Sequence, residues 1–400
     1  HADVREIAKL LRVDAVLEGS VRRSGSRARV VAQLIDAATG CHLWSDRFDH
    51  DREDLFGIQD DIAHAIAGAL RSSFAAKLGE PPPSPYRANS ETYELYLEGR
   101  YHWNRRTPAG YLKAVDRFKR VLEADPNMAR AWSALSMCYA MSTGYSTFSI
   151  DDTLELATDA ANRALAMDPS LAEPHLTLGF MHACYRFDWQ AAETQFRRAL
   201  ELEPGMAFAH NLVAAMLLAP TGRWAEAQAH TQRFVELDPF SPLSLQCLAR
   251  LDLYHRRYDR AIEGFRASLA LDPSLPASLM GLAETLILRE RYDEALTELA
   301  KVEMPTFGAG YAGYCQAKMG RTEEARHTLR RLEELAQPEV AFQIAVLRFG
   351  LDDLGGTFAW LNRAIDHPGI GIHWIGVDPF WDPLRGDRRF VAVLKRMNLA

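Results

Sequence analysis

His175 and His182 stand seven residues apart, about two helical turns, and His210 follows His175 by 35 residues. Imidazoles on one helix face, met by another from a neighbouring helix, are the start of a zinc or copper site. The surrounding pattern recurs, however, and Trp132 and Leu245 fill the corresponding place in adjacent copies. Packing is therefore the reading these histidines favour. The acidic pairs Asp60-Asp61, Asp151-Asp152 and Asp352-Asp353 fall at helix starts or on polar faces, where capping and solvation account for them. Five cysteines show no paired spacing, and Cys138, Cys184, Cys247 and Cys315 read as free, buried thiols in a helical core. The sequence contains no Gly-rich phosphate loop before a helix, no His-Glu-x-x-His, no nucleophile elbow, no His-Arg-Asp and no Asp-Phe-Gly. No catalytic, metal or cofactor-binding residue is assigned, and no cofactor is expected.

What positions these side chains is a repeat. Acidic-Pro pairs recur at Asp168-Pro169, Glu203-Pro204, Asp238-Pro239 and Asp272-Pro273, with prolines 35, 35 and 34 residues apart. Asp125-Pro126 lies 43 residues upstream of Pro169, so that copy carries an insertion, and Pro305 and Pro338 continue the series more weakly. Ahead of each proline a helix carries small and aromatic residues at i, i+4, i+7: Ala192, Phe196, Ala199; Ala261, Phe265, Ser268; Ala114, Phe118, Val121. New helices are expected at Ala129, Ala172, Ala207, Pro242 and Pro276, proline being well suited to a first helical position. A period near 34 with two helices per copy resembles the tetratricopeptide (TPR) repeat. The resemblance covers more than half the chain. It implies a mostly α fold, a TPR α-solenoid of about seven to eight helical hairpins stacked as a right-handed superhelix, spanning 91–368.

In TPR proteins the first helix of each pair lines a groove that holds extended or helical peptides. Counting from each helix start, the groove candidates are Arg130, Ser133, Met137 and Met141, then Phe180 and Cys184. Asn211 and Ala215 come next, then Gln246, Arg250 and Tyr254, and finally Met280 and Glu284. The Lys/Asn set with which chaperone-binding TPRs clamp a terminal carboxylate is missing. The apolar first half fits a hydrophobic or aromatic ligand segment, with Arg130 and Arg250 favouring an acidic flank. The competing expectation is that the superhelix closes on itself and these residues pack internally.

The N-terminal part has another pattern. Ala2–Leu11 reads as an amphipathic helix, Val13–Arg23, Arg27–Asp36 and Cys41–Asp49 as strands, and Asp54–Lys77 as a long helix. That order implies a small α+β unit with an antiparallel sheet over 1–78. The strings Val16-Leu17-Glu18-Gly19-Ser20-Val21, Gln33-Leu34-Ile35-Asp36, His42-Leu43-Trp44 and Ile58-Gln59-Asp60 resemble the TolB/FlgO-type domain of bacterial signalling proteins. In that family the domain opens with a further strand and helix and precedes TPR arrays in serine/threonine kinases, adenylate cyclases and winged-helix regulators. The resemblance implies a truncated domain whose sheet presents an unpaired edge. Pro81, Pro82, Pro83 and Pro85 mark a semi-rigid linker over 79–90.

Past Pro338 the helical period persists over Val340–Asp366. Then His373-Trp374 and Val377-Asp378-Pro379-Phe380-Trp381-Asp382-Pro383-Leu384 lead to a last helix over Arg388–Met397. TPR-containing bacterial kinases often end in a similar Asp-Pro-x-x-Asp-Pro-Leu stretch. A solenoid must cover its last face, and residues 369–400 are expected to form that cap.

A net charge of −7 with 48% hydrophobic residues fits a soluble region, and the absence of a basic stripe argues against nucleic acid as a partner. The longest apolar run, Leu212–Ala219, cannot span a bilayer, so no transmembrane segment is expected here. No secretory signal opens the chain, and a start at His1 reads as a fragment of something longer, placed in the cytoplasm or on the outer side of an inner membrane. The expected role is a non-catalytic interaction and sensory region that binds a protein or peptide, with homo-oligomers allowed. The alternative is the regulatory region of a kinase, cyclase or winged-helix regulator.

Overall fold

A computed structural model describes residues 13–24, 27–37, 40–51, 90–105, 107–142, 150–302, 306–335, 337–369 and 371–400, with Ala8 and Ala65 as single helical positions. The expected helices Ala2–Leu11 and Asp54–Lys77, the proline linker and the inserted loop at 143–149 lie essentially outside these residues. The chain forms two compact units, 1–99 with 117–128, and 100–116 with 129–400.

In the first unit β1 (Ala15–Ser24), β2 (Arg27–Asp36) and β3 (His42–Asp51) form an antiparallel sheet in the order β1-β2-β3. Ala15 faces Asp36 and Ser24 faces Arg27 across the first hairpin. A bulge between Leu34 and Ile35 breaks the in-out alternation, and both residues are buried. Among the described residues no strand pairs the outer edge of β1, where Leu17 and Val21 are exposed.

Eight helical hairpins come after the sheet among the described residues. They are α1 (Ser90–Asn104) with α2 (Pro108–Ala124), α3 (Ala129–Ser142) with α4 (Ile150–Met167), and α5 (Glu173–Tyr185) with α6 (Trp189–Leu202). Next come α7 (Ala207–Leu212, continued by a π-helical turn over Val213–Leu218) with α8 (Trp224–Leu237), and α9 (Pro242–Tyr254) with α10 (Tyr258–Leu271). The last are α11 (Pro276–Leu288) with α12 (Tyr292–Leu299), α13 (Ala309–Lys318) with α14 (Thr322–Glu334), and α15 (Ala341–Gly350) with α16 (Leu354–Asp366). A short helix, α17 (Arg388–Arg396), ends the chain.

The acidic-Pro signature works as a stop and a turn. Proline pushes the preceding residue out of the helical region, and Glu203, Asp238 and Asp272 take φ near −140° while their N–H groups still bond the helix behind. The aspartate then organises the turn into the next helix. Asp168 Oδ1 accepts from the Ser170 N–H and hydroxyl at 3.0 and 2.6 Å, and Asp272 does the same with Ser274 at 3.0 and 2.8 Å. In the six hairpins from α5 to α16 the turn holds a left-handed residue, supplied by Phe187, Gly222, Arg256, Glu290, Gly320 and Asp352. Only two of these six are glycine, so four turns hold a side chain in a costly conformation.

Packing obeys the i, i+4, i+7 register. Phe196 and Phe265 are buried, and the ring of Phe265 lies against Gly281 of α11, where a Cβ would sit 2.3 Å from it. The expectation that small residues admit an aromatic between helices is met. Cys138, Cys184, Cys247 and Cys315 are buried, whereas Cys41 is exposed. Among the described residues no helix is long and apolar enough to cross a membrane.

Candidate functional site

The first helices α3, α5, α7, α9, α11, α13 and α15 present one inner wall in the second unit. Ten of the thirteen groove candidates meet there around a cavity of about 250 Å³: Met141, Phe180, Cys184, Asn211, Ala215, Gln246, Arg250, Tyr254, Met280 and Glu284. The other three do not. Arg130 is exposed, Met137 is buried in α3, and Ser133 donates to Glu173 Oε2 at 3.2 Å.

Residues 371–400 fold back onto this wall and reach well beyond the last hairpin. Two 3₁₀ turns, Ile372–Trp374 and Pro379–Leu384, carry the anchors. Phe380 packs on Tyr311, Tyr314 and Phe349 with centroids 5.3, 4.9 and 5.7 Å away, and Trp381 stacks on Phe349 at 5.6 Å. Arg256 grips Asp382 through two guanidinium nitrogens at 2.7–3.0 Å. Farther back, Trp189 Nε1 donates to the Met397 carbonyl at 2.8 Å, and Asn398 donates to the Phe187 carbonyl at 3.1 Å.

One anchor can be traced to a single residue type. In the π turn the Ala219 N–H bonds the Ala214 carbonyl, so hydrogen bonds there run i+5 to i. The next carbonyl, Ala215, would need an N–H from residue 220, which is proline and has none. Trp374 Nε1 supplies it at 2.8 Å. The indole face meanwhile sits 5.6 Å from the Arg250 guanidinium carbon, which also lies over Phe265 at 5.5 Å.

Arg250 is the centre of a buried polar group. It donates to Glu284 Oε2 at 2.8 Å and to the Ala277 carbonyl at 3.3 Å, with side-chain exposures of 14% and 8% for the Arg250–Glu284 pair. Burial opposes its charge, but Glu284, Tyr254 and Asp378 raise its pKa. Asp378 accepts from the Phe380 N–H at 2.8 Å; burial first, then the Glu284 carboxylate, pushes its own pKa well up. Burial and then Arg250 push His373 down to about 3, which keeps its ring neutral. Burial likewise raises the Tyr254 and Tyr311 phenols and the Cys247 thiol. Among the described residues Arg250 Nε, Glu284 Oε1 and both His373 nitrogens are buried with no hydrogen-bond partner.

The histidines singled out by spacing do not converge. His175 Nδ1 bonds Gln195 Oε1 at 2.7 Å, and His210 meets His230 of its own hairpin at 3.0 Å. No group of three potential metal ligands occurs among the described residues. Asp353 does cap its helix, accepting from the Gly356 N–H at 2.9 Å. Sequence reasoning missed the part of the wall contributed by Phe307, Tyr311, Phe342, Gln343, His373 and Trp374. The available signal was the aromatic density of 373–381, too apolar for a solvent-facing tail.

Residues 248–305 and 311–335 match two family models, each described as a tetratricopeptide repeat. "Putative adenylate cyclase 3" of Rhizobium meliloti (strain 1021) is 36% identical over 178 residues, 44% of this chain and 30% of that protein. The match thus spans less than a third of the relative's length. The human IFIT1 dimer solved with m7Gppp-AAAA superposes with a TM-score of 0.52 at 12% identity, over 77% of this chain and 78% of that one. Such low identity shows a shared fold alone. A thermophilic TPR protein of Thermus thermophilus is 20% identical, covering 52% of this chain and 99% of that one, with a TM-score of 0.39.

Proposed function

We infer that the tetratricopeptide repeats of this chain serve as a protein-interaction scaffold. We propose that the chain is the non-catalytic regulatory and interaction region of a bacterial signalling protein, with adenylate cyclase as its output. The observation that carries the signalling part is the 178-residue match to a relative named as a cyclase. The α+β unit resembling TolB/FlgO-type domains belongs to the same reading.

The partner in this proposal is a protein or peptide segment with apolar anchors, engaging the wall of Met141, Phe180, Cys184, Asn211, Ala215 and Tyr254. The chain's own 371–384 segment supports the mode, because it already holds Trp374 against such a wall. An entering segment would have to share or take over those contacts. Arg250 would not steer an acidic flank, since its charge is committed to Glu284.

The test is cyclic AMP formation by the longer protein that this reading requires. That protein should convert ATP to cyclic AMP, and Phe380→Ala/Trp381→Ala, which loosens the 371–384 segment, should change the turnover several-fold at unchanged KM for ATP. Residues 1–400 alone should form none. A longer protein without cyclase activity removes the output assignment, and activity indifferent to the double variant removes the regulatory role.

A further inference from the structure

We infer that the cavity on the inner wall binds a neutral small molecule with an apolar body and a carbonyl oxygen, an ester or ketone, held by the side-chain amides of Asn211, Gln246 and Gln343. The inference rests on those amides and stands apart from the cyclase reading.

Three carboxamides line the cavity. Gln246 on α9 follows Asn211 on α7 by 35 residues and takes the same place in the next hairpin, and Gln343 comes from α15. Asn211 and Gln246 are each 9% exposed and Gln343 is 7% exposed. The protein engages their oxygens. Gln343 Oε1 accepts from the Gly310 N–H at 3.0 Å, and because a backbone N–H can only donate, this fixes which end of the amide is NH2. Cys247 Sγ lies 3.0 Å from Asn211 Oδ1 and 3.5 Å from Gln246 Oε1; burial pushes its pKa up to about 12, so the thiol keeps the proton it donates.

The nitrogens are left over. Among the described residues none of Asn211 Nδ2, Gln246 Nε2 and Gln343 Nε2 has a hydrogen-bond partner. Nor is any of them sealed: the unpaired side-chain polar atoms closed off from solvent belong to His182, Arg250, Glu284, Arg348, His373 and Trp381. Acceptors in the same lining are already taken, the Ala215 carbonyl by Trp374 Nε1 at 2.8 Å and the Ala277 carbonyl by Arg250 at 3.3 Å. The wall thus offers N–H donors that are nearly buried, still reachable and without an acceptor, a demand that a ligand oxygen meets.

Charge and shape narrow the ligand further. Arg250, the one Lys or Arg of the lining, already meets Glu284 at 2.8 Å, so a carboxylate would enter a low-dielectric site uncompensated. An amine or alcohol would bring a donor to a lining that has donors to spare. A ketone or ester carbonyl brings two lone pairs and neither a charge nor a donor. Phe180, Met216, Met280 and Phe342 supply the apolar surface for an aryl or alkyl body. A volume of about 250 Å³ admits a fragment-sized molecule, just below the ~300–1,000 Å³ of typical ligand pockets.

The experiment uses residues 1–400 and three probes of like shape: methyl benzoate, isopropylbenzene, which lacks the oxygens, and benzoate, which carries the charge. Calorimetric titration should show saturable binding of methyl benzoate and none of benzoate. Isopropylbenzene should bind roughly tenfold more weakly than the ester, because it covers the NH2 groups without offering them a partner. The NH2 resonances of Asn211, Gln246 and Gln343 should move downfield with ester occupancy. Asn211→Leu/Gln246→Met keeps the side-chain volumes and removes two donors, so it should weaken methyl benzoate about tenfold while isopropylbenzene binds no worse. Gln343→Glu keeps the oxygen that the Gly310 N–H needs and loses the NH2, so it too should weaken the ester. No saturable binding of methyl benzoate, equal or tighter binding of either other probe, or undiminished ester binding by both variants overturns the proposal, and so does a loss shared equally by ester and hydrocarbon. Because no turnover is measured, its failure is separate from failure of the regulatory reading.

Discussion

Replacing Trp374 by Phe isolates one hydrogen bond whose necessity comes from Pro220. The Phe ring can keep the apolar contact beside Arg250, but the Ala215 carbonyl loses its donor, and residue 220 has no N–H to offer in exchange. An acceptor stranded in a buried site costs about 1–3 kcal/mol. Ala215 is half-buried, so partial access of water places the expected loss near the lower limit, about 1 kcal/mol. That corresponds to a roughly fivefold rise in the population of the undocked segment. Hydrogen exchange over 372–384, read by mass spectrometry under conditions where opening and closing are fast, reports that population directly. Pro220→Ala restores an N–H at the i+5 place, so Trp374→Phe should cost little in its background, giving a coupling of about 1 kcal/mol in the double-mutant cycle. Additive effects, or unchanged exchange in Trp374→Phe, would refute the account of the π turn as the origin of this anchor.

Three further outcomes are expected. Phe265→Ala should lower stability by about 3–5 kcal/mol in urea melts, since the ring is fully buried against Gly281. Glu290→Gly should raise it by about 0.5–1 kcal/mol by relieving a left-handed residue (φ 56°). Stability against pH should form a dome. His373 has its pKa lowered, so the unfolded chain binds more protons below about 6.5 and stability is lost as pH falls toward about 3; His373→Phe should flatten that limb. Asp378 has its pKa raised, so the native state keeps a proton the unfolded chain releases, and stability is lost as pH rises above the ordinary carboxylate range; Asp378→Asn should flatten that one. Melting temperatures of parent and variants across pH check both signs.

The repeat was legible because its punctuation is local. Asp272-Pro273 ends α10 and turns the chain through bonds spanning two residues, and a 34-residue period exposes the next copy. The wall was legible for the same reason, since helix starts at Ala129, Ala207, Pro242 and Pro276 fix which side chains face inward. What covers the wall was not. A cap over the last face was expected at 369–400; the segment packs on Phe349, Phe358 and Asp366 of the last hairpin and also crosses the inner wall, where its other anchors pair with partners 126–211 residues away. Nothing periodic announces such pairs. Pro220 was visible in the sequence, yet its missing N–H becomes meaningful only once the π turn places the Ala215 carbonyl beside Trp374. Tyr254 and Phe180 illustrate the remaining gap: both face inward as read, but the returning segment leaves them 3% and 8% exposed.

Joining Asn398 to Phe187 and Met397 to Trp189 also changes how the chain must be made. An open repeat array can fold copy by copy as each is synthesised, since every unit leans only on its neighbours. Here the third hairpin receives partners from Met397 and Asn398, 208 and 211 residues further on. Until the 371–384 segment emerges, the wall of Phe180, Met216 and Met280 stands open to water. The nascent solenoid is therefore most prone to sticking during the interval between the third hairpin and the 371–384 segment, and deletion of that segment would make the exposure permanent.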